Sequence, residues 1–156
     1  MIPLENSASY VVPQSLGEAL RADHRRLEIL FDELENLVHV GDTIRADEAW
    51  SRFERGLVAH LDAEEDEMLP ILDLEDAEEA ARVRREHQRI RKLLAELGIQ
   101  LEIHILREDT VRAFLDFLRT HAAREEETLY RWADRALPEA PKTSILQRVR
   151  GTLERH

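Results

Sequence analysis

The sequence predicts an all-α protein: an up-down-up-down antiparallel four-helix bundle followed by a short fifth helix at the C-terminus. Three observations lead there. Apolar residues recur at spacings of three and four along four long segments. Residues that cap or break helices fall between those segments. The 156 residues include only five Gly, five Pro and 5% aromatics, with Leu, Ala, Glu and Arg dominating, a composition suited to helices.

Residues 1–14 read as an N-terminal arm. The first helix begins at Ser15, where Ser15 and Glu18 have capping-box spacing, and fades before Gly41. The second runs from about Thr43 to Leu69 and is stopped by Pro70. The third starts near Asp76, followed by Ala77, Glu78 and Glu79, and continues to about Leu106. Gly98 is its weak point, because Ile99, Leu101, Ile103 and Ile105 alternate like a strand. The spacings of Val83, Ile90, Leu94, Leu97 and Leu101 favour a continuous helix instead. The fourth runs from Thr110 to before Pro138, so the bundle occupies residues 15–137. Residues 138–156 carry the short helix, from about Ser144 to Glu154, with Ile145, Leu146, Val149 and Leu153 on one side. The connections are short, which makes neighbouring helices antiparallel.

Charge and cysteine usage exclude several function classes. The formal charge is −11, from 33 acids against 22 bases. That disfavours nucleic acid, whose binders neutralise phosphates with Lys and Arg, and an anionic membrane surface. It suits attraction of cations. The chain has no cysteine, so disulfides and thiolate metal sites are excluded. No apolar run approaches the ~20 residues needed to cross a bilayer, and residues 1–14 lack a signal-peptide layout. The expectation is a cytoplasmic monomer or homodimer.

The chemistry lies on the helix seams. They read Leu20, His24, Leu27, Phe31 and Leu34; Phe53, Leu57, His60, Glu64 and Met68; Val83, His87, Ile90 and Leu94; and Phe114, Leu118, His121, Glu125, Leu129 and Trp132. Each holds a histidine, and two hold His-x-x-x-Glu, whose side chains sit one turn apart on one face. His24 lies nine residues after Ser15, His60 nine before Leu69, His87 eleven after Asp76, and His121 sixteen before Leu137. Running alternately up and down, these residues fall in one slab about three turns thick at ~5.4 Å per turn. Two glutamates buried there cannot stay unpaired, and apart from Arg91 no basic residue stands on a seam at that level. Any one of these residues alone reads as a core histidine or a surface pair worth ~0.2–0.5 kcal/mol. Six at one level point to metal ions. Imidazole and carboxylate donors together suit a pair of iron ions, with manganese or zinc as alternatives. His39, His104 and His156 fall outside the slab and read as solvent-facing. Asp62, Glu64, Glu65, Asp66 and Glu67 crowd the last turns of the second helix, where the macrodipole disfavours anions. Glu65 and Asp66 read as a solvated face.

Four stretches carry a family resemblance: His24-Arg-Arg-Leu, His60-Leu-Asp-Ala-Glu64 running on to Pro70, Glu86-His87-Gln-Arg-Ile, and His121-Ala-Ala-Arg-Glu125-Glu-Glu-Thr-Leu-Tyr. Together they resemble the hemerythrin-like, or HHE cation-binding, family across about residues 15 to 137. The resemblance implies a four-helix bundle around a non-haem di-iron site. His24 and His60 would bind one iron, His87 and His121 the other, and Glu64 and Glu125 would bridge them. Oxygen-carrying members place two histidines one turn apart on the third helix. Here His87 stands alone, with Val83 one turn before it and Arg91 one turn after. Water, a solvent-derived bridge or a nearby carboxylate would fill the place, or leave it open; Glu28 is one such carboxylate, although an outward position for it is more ordinary. Glu65 and Glu126 point about 100° away from the seam and are expected to stay out of the site. The Glu-x-x-His motif of ferritin-like bundles is absent, since Arg21, Leu57, Arg84 and Leu118 stand three before the histidines. Dioxygen, peroxide or nitric oxide is the implied small ligand, held by a carrier or sensor or turned over by an enzyme. The alternative is a metal-free helical interaction module.

Overall fold

The computed structural model of the protein describes residues 15–151. It is an all-α bundle with no strand among those residues. The helices are α1 (Leu16–Val40), α2 (Thr43–Glu67), α3 (Leu69–Glu75), α4 (Ala77–Glu102), α5 (Glu108–Glu127), α6 (Leu129–Ala136) and α7 (Glu139–Gly151). Four long rods result: α1, α2 with α3, α4, and α5 with α6. The caps work as the sequence implies. Ser15 Oγ accepts from the Glu18 amide at 3.1 Å, Asp42 from Arg45 at 3.1 Å, and Asp76 from Glu79 at 3.1 Å. Gly41 ends α1 at φ 79°, a left-handed turn that glycine adopts without steric cost. Helix α4 is continuous through Gly98, where a Cβ would stand 3.3 Å from Trp50 Cζ2. The glycine therefore makes room for an indole rather than ending the helix. None of these helices is long and apolar enough to cross a membrane.

Two rods bend where the sequence implies a stop or a straight line. Pro70 does not end the second rod. The chain turns at Met68 and resumes as α3 with Pro70 in its first turn, where the missing N–H is unneeded. The fourth rod, expected to be unbroken, is interrupted at Thr128 (φ −118°, ψ −69°). Thr128 Oγ1 donates to the Arg124 carbonyl at 2.7 Å, a side-chain bond that bends helices. The fourth rod also starts earlier than expected, at Glu108, and the last helix starts at Glu139. The arm 1–14, Leu153 and His156 lie outside the described residues.

The core is two apolar clusters separated by a polar layer. One cluster, at the Gly41 end, centres on Phe31, Phe53 and Phe114, whose rings meet at 5.0–6.0 Å. The other, at the α3 and α6 end, contains Leu20, Met68, Leu69, Val83, Tyr130 and Ile145. Helix α7 belongs to this second cluster. It buries Ile145 and Val149, Ser144 Oγ donates to Glu67 at 2.8 Å, and Arg148 pairs with Asp66 at 2.8 Å. Among the described residues, the buried polar ones are Asp23, His60, Glu64, His87, His121 and Glu125.

Candidate metal centre

Between the two clusters the four rods bring together all six seam residues. His60, Glu64, His87, His121 and Glu125 are at most 3% exposed, and the His24 side chain is 14% exposed. Their Nε2 atoms face one another and the carboxylates. Donor atoms of His24, His60 and Glu125 form one group that could hold a metal ion, and those of His87, His121 and Glu125 form a second. Glu125 is common to both: Oε1 lies 3.1 Å from His121 Nε2 and 3.6 Å from His24 Nε2, and Oε2 lies 3.5 Å from His87 Nε2. Glu64 Oε1 spans the same gap, 3.1 Å from His60 Nε2 and 3.7 Å from His87 Nε2.

These atoms are close without being satisfied. Both Glu64 oxygens, Glu125 Oε2 and both ring nitrogens of His87 and His121 are buried with no hydrogen bond. Such groups cost free energy in a dry interior. Converging imidazole nitrogens and carboxylate oxygens with no partner of their own are what a cation needs, so the donor set fits metal binding.

The electrostatics point the same way. Burial by itself lowers an imidazole pKa, but at His87 the nearby carboxylates of Glu125, Glu65 and Glu64 outweigh it and push the group up to about 10. His60 and His121 are also raised against burial, by Glu64 and Glu125 respectively. Burial and the neighbouring Glu125 raise Glu64. Burial would raise Glu125 too, yet the surrounding imidazoles, His121 foremost, hold it well below the usual carboxylate range. In the metal-free protein the cluster therefore draws protons, which stand where metal cations would bind.

A ring of outer carboxylates stands behind the imidazoles. His60 Nδ1–H donates to Asp23 Oδ2 at 2.6 Å, and His24 Nδ1–H to Glu126 Oε1 at 3.1 Å. Glu65 lies 3.5 Å from His87 Nδ1, and Glu86 lies 3.7 Å from His121 Nδ1. Arginines hold three of the four: Arg26 pairs with Asp23, Arg91 with Glu65, and Arg82 with Glu86. At His60 and His24 the hydrogen bond keeps a proton on Nδ1 and, in the neutral ring, leaves the Nε2 lone pair facing inward. The expectation that Glu65 and Glu126 stay clear of the site is thus corrected. Their backbones do point off the seam, but long side chains reach sideways to the back of the rings. Asp66 is exposed and pairs with Arg148, Glu28 is exposed and pairs with Arg119, and His39 and His104 are exposed.

Asp23→Asn and Glu126→Gln are each expected to weaken metal binding by about 10- to 100-fold while leaving the fold intact. Competition against a chelator checks this; unchanged affinity in both would mean that the carboxylates do not orient the rings.

Two further features do not follow from the seams. Tyr130, in α6, is 1% exposed, and its hydroxyl lies 2.9 Å from His24 Nε2, 3.0 Å from His60 Nε2 and 3.3 Å from Glu125 Oε1. Burial and the two glutamates push its phenol well above the ordinary value, so it keeps its proton in the metal-free protein. On the opposite side a cavity of about 200 Å³, lined by Phe31, Phe53, Leu57 and Leu118 among others, ends at His24, His60, His121 and Glu125.

The family model of the hemerythrin HHE cation binding domain matches residues 15–133, a span that contains every residue of the cluster. Comparison with curated proteins and with solved structures gave no match.

Proposed function

The chain belongs to the hemerythrin HHE cation-binding family, and on that premise we propose that it holds two iron ions in a non-haem site and binds or reacts there with dioxygen, peroxide or nitric oxide. One observation carries the reading: imidazole nitrogens and carboxylate oxygens converge from four rods, and those of Glu64, His87 and His121 with one oxygen of Glu125 are buried without a hydrogen-bond partner. His24 and His60 would hold one ion and His87 and His121 the other, with Glu64 and Glu125 as the carboxylates placed to serve both. Manganese and zinc accept the same donors, and metal analysis separates them. Iron supplies Lewis acidity and electron transfer to a small ligand when bound.

The chain's own residues set the conditions for that chemistry. Asp23 and Glu126 keep the Nε2 lone pairs of His60 and His24 turned inward. The phenylalanine and leucine walls of the cavity exclude water and admit a small, weakly polar molecule. Val83, buried and apolar, stands one turn from His87, where a further histidine would add a donor. Fewer protein donors at that half leave coordination for an external ligand, which favours reactivity over simple carriage. A metal-free interaction module fits less well, because both oxygens of the buried Glu64 would then have no partner.

Protein loaded with ferrous iron under anaerobic conditions is expected to carry about two irons per chain, the number that two donor groups sharing Glu125 would hold. Absence of bound metal after loading would overturn the reading. Consumption of peroxide, oxygen or nitric oxide by the loaded protein then separates enzyme from carrier or sensor.

A further inference from the structure

The sequence motifs use histidine and glutamate, and the two donor groups are drawn from those residues. We propose that Tyr130 is a metal ligand of the His24/His60 half of the site, a role that rests on the two-metal reading above.

The argument is geometric. The Tyr130 oxygen, His24 Nε2 and His60 Nε2 form a triangle with edges of 2.9, 3.0 and 3.1 Å. Donors bound at about 2.1 Å on one face of an octahedral ion stand about 3.0 Å apart. The three atoms already have the spacing of such a face. A neutral ring pair would leave the hydroxyl under-used. One hydroxyl carries one proton, and His24 Nε2, His60 Nε2 and Glu125 Oε1 all lie within 3.3 Å of it. It can donate to one of them at a time, and its oxygen accepts only from a ring that carries a proton on Nε2 as well. The two Nε2 atoms are the inward ends of rings whose Nδ1 protons are already committed to Glu126 and Asp23.

The position is built and not accidental. Tyr130 is among the largest fully buried side chains of the protein, and it stands on the α3 and α6 side of the polar layer. The cavity approaches from the other side, against the phenylalanine cluster. The phenol therefore closes one face of the His24/His60 half, while the face toward the cavity stays accessible. On binding, the phenol O–H bond gives way to an oxygen–metal bond and the proton passes to solvent. No oxidant or reductant is required. The consequence is an asymmetric pair. The half built on His24 and His60 gains a fifth protein donor, whereas the half built on His87 and His121 keeps four when Glu64 and Glu125 are counted for both.

The test uses the ferric, iron-loaded protein and reads spectrum and metal content together. Phenolate ligation gives a visible charge-transfer band with resonance-enhanced tyrosine ring modes. The chain has two tyrosines, so ring-deuterated tyrosine incorporated into Tyr10→Phe protein assigns the modes to Tyr130 without altering it. Tyr130→Phe should lose the band and, under a chelator that leaves the parent loaded, retain about one iron where the parent retains two, since only one half loses a donor. Two irons in the parent with no deuterium-sensitive ring modes would overturn tyrosine ligation and leave the two-metal reading standing. Modes that persist in Tyr130→Phe would overturn it as well. No iron in either protein would overturn the two-metal reading, and the ligand assignment with it.

Discussion

Glu125→Gln is expected to empty both halves of the site, lowering affinity for each metal by at least roughly a hundredfold, beyond the upper end of the effect of losing an outer carboxylate. The reason is its position among three imidazoles. Its oxygens lie 3.1, 3.6 and 3.5 Å from the Nε2 atoms of His121, His24 and His87, so it serves residues of both halves. Glutamine keeps the shape but removes the charge and turns an N–H donor toward the cation. Glu64→Gln should act in the same way through His60 and His87. Glu96→Gln, on the exposed face of α4, changes the net charge equally and should leave metal content unchanged. Metal analysis of the three variants decides the matter. Loss of one metal of two in Glu125→Gln would show that the carboxylate does not span the pair. Equal loss in Glu96→Gln would mean that overall negative charge, not placement, holds the ions.

Metal removal should lower the melting temperature by at least roughly 8 °C. That follows from about 4 kcal/mol for one ion present at a thousandfold excess over its dissociation constant and about 2–4 °C per kcal/mol for a domain of this size. The difference should widen as pH rises. In the metal-free protein His87 keeps its proton up to about 10, whereas an unfolded histidine loses it near ~6.5. Between those values the folded state binds more protons, so stability falls with pH. The stabilisation is complete below ~6.5 and disappears as pH passes through the folded value. Glu64, also raised, acts in the same sense from the unfolded carboxyl value upward. Glu125, held low, stabilises above that value and loses its contribution only in acid. The metal-free protein should thus be most stable in mild acid. The loaded protein follows the opposite course, because protons displace the metals as pH falls. Melting curves of both forms from pH 5 to 10 check this. Curves that coincide at every pH would rule out a buried cation site.

Among the features legible in the amino-acid sequence, the seams stand out because helix periodicity fixes which residues share a face. His60 with Glu64 and His121 with Glu125 needed only a spacing of four. Their common level needed only the helix ends read at Ser15, Leu69, Asp76 and Leu137, of which Ser15 and Asp76 cap their helices through their own hydrogen bonds. Less legible were Asp23 and Glu126. Each is one residue from a seam histidine or glutamate, a position that the apolar pattern assigns to solvent. What brings them in is the sideways reach of a carboxylate to the Nδ1 of a ring on another helix.

Tyr130 marks the limit of periodicity. On an unbroken helix it would stand about 140° around from Glu125, five residues on at 100° each, and so off the seam. The interruption at Thr128 lets α6 turn the ring inward. No proline or glycine announces that break; it comes from a threonine hydroxyl bonding back to Arg124. Pro70 did announce a break in the second rod, but not that the helix would resume beyond it. In the same way the apolar side of the last helix was visible, while its partner was not: Ile145, Ser144 and Arg148 find α2 only in the folded chain.

Spacings within one helix were enough to give the four rods, their inward faces and the six seam histidines and glutamates that meet between the apolar clusters. The tertiary structure decided the distances between donors, the carboxylates behind the imidazoles, the cavity on one side and the phenol on the other. Those depend on where separate rods cross and bend, which packing of side chains distant in sequence sets.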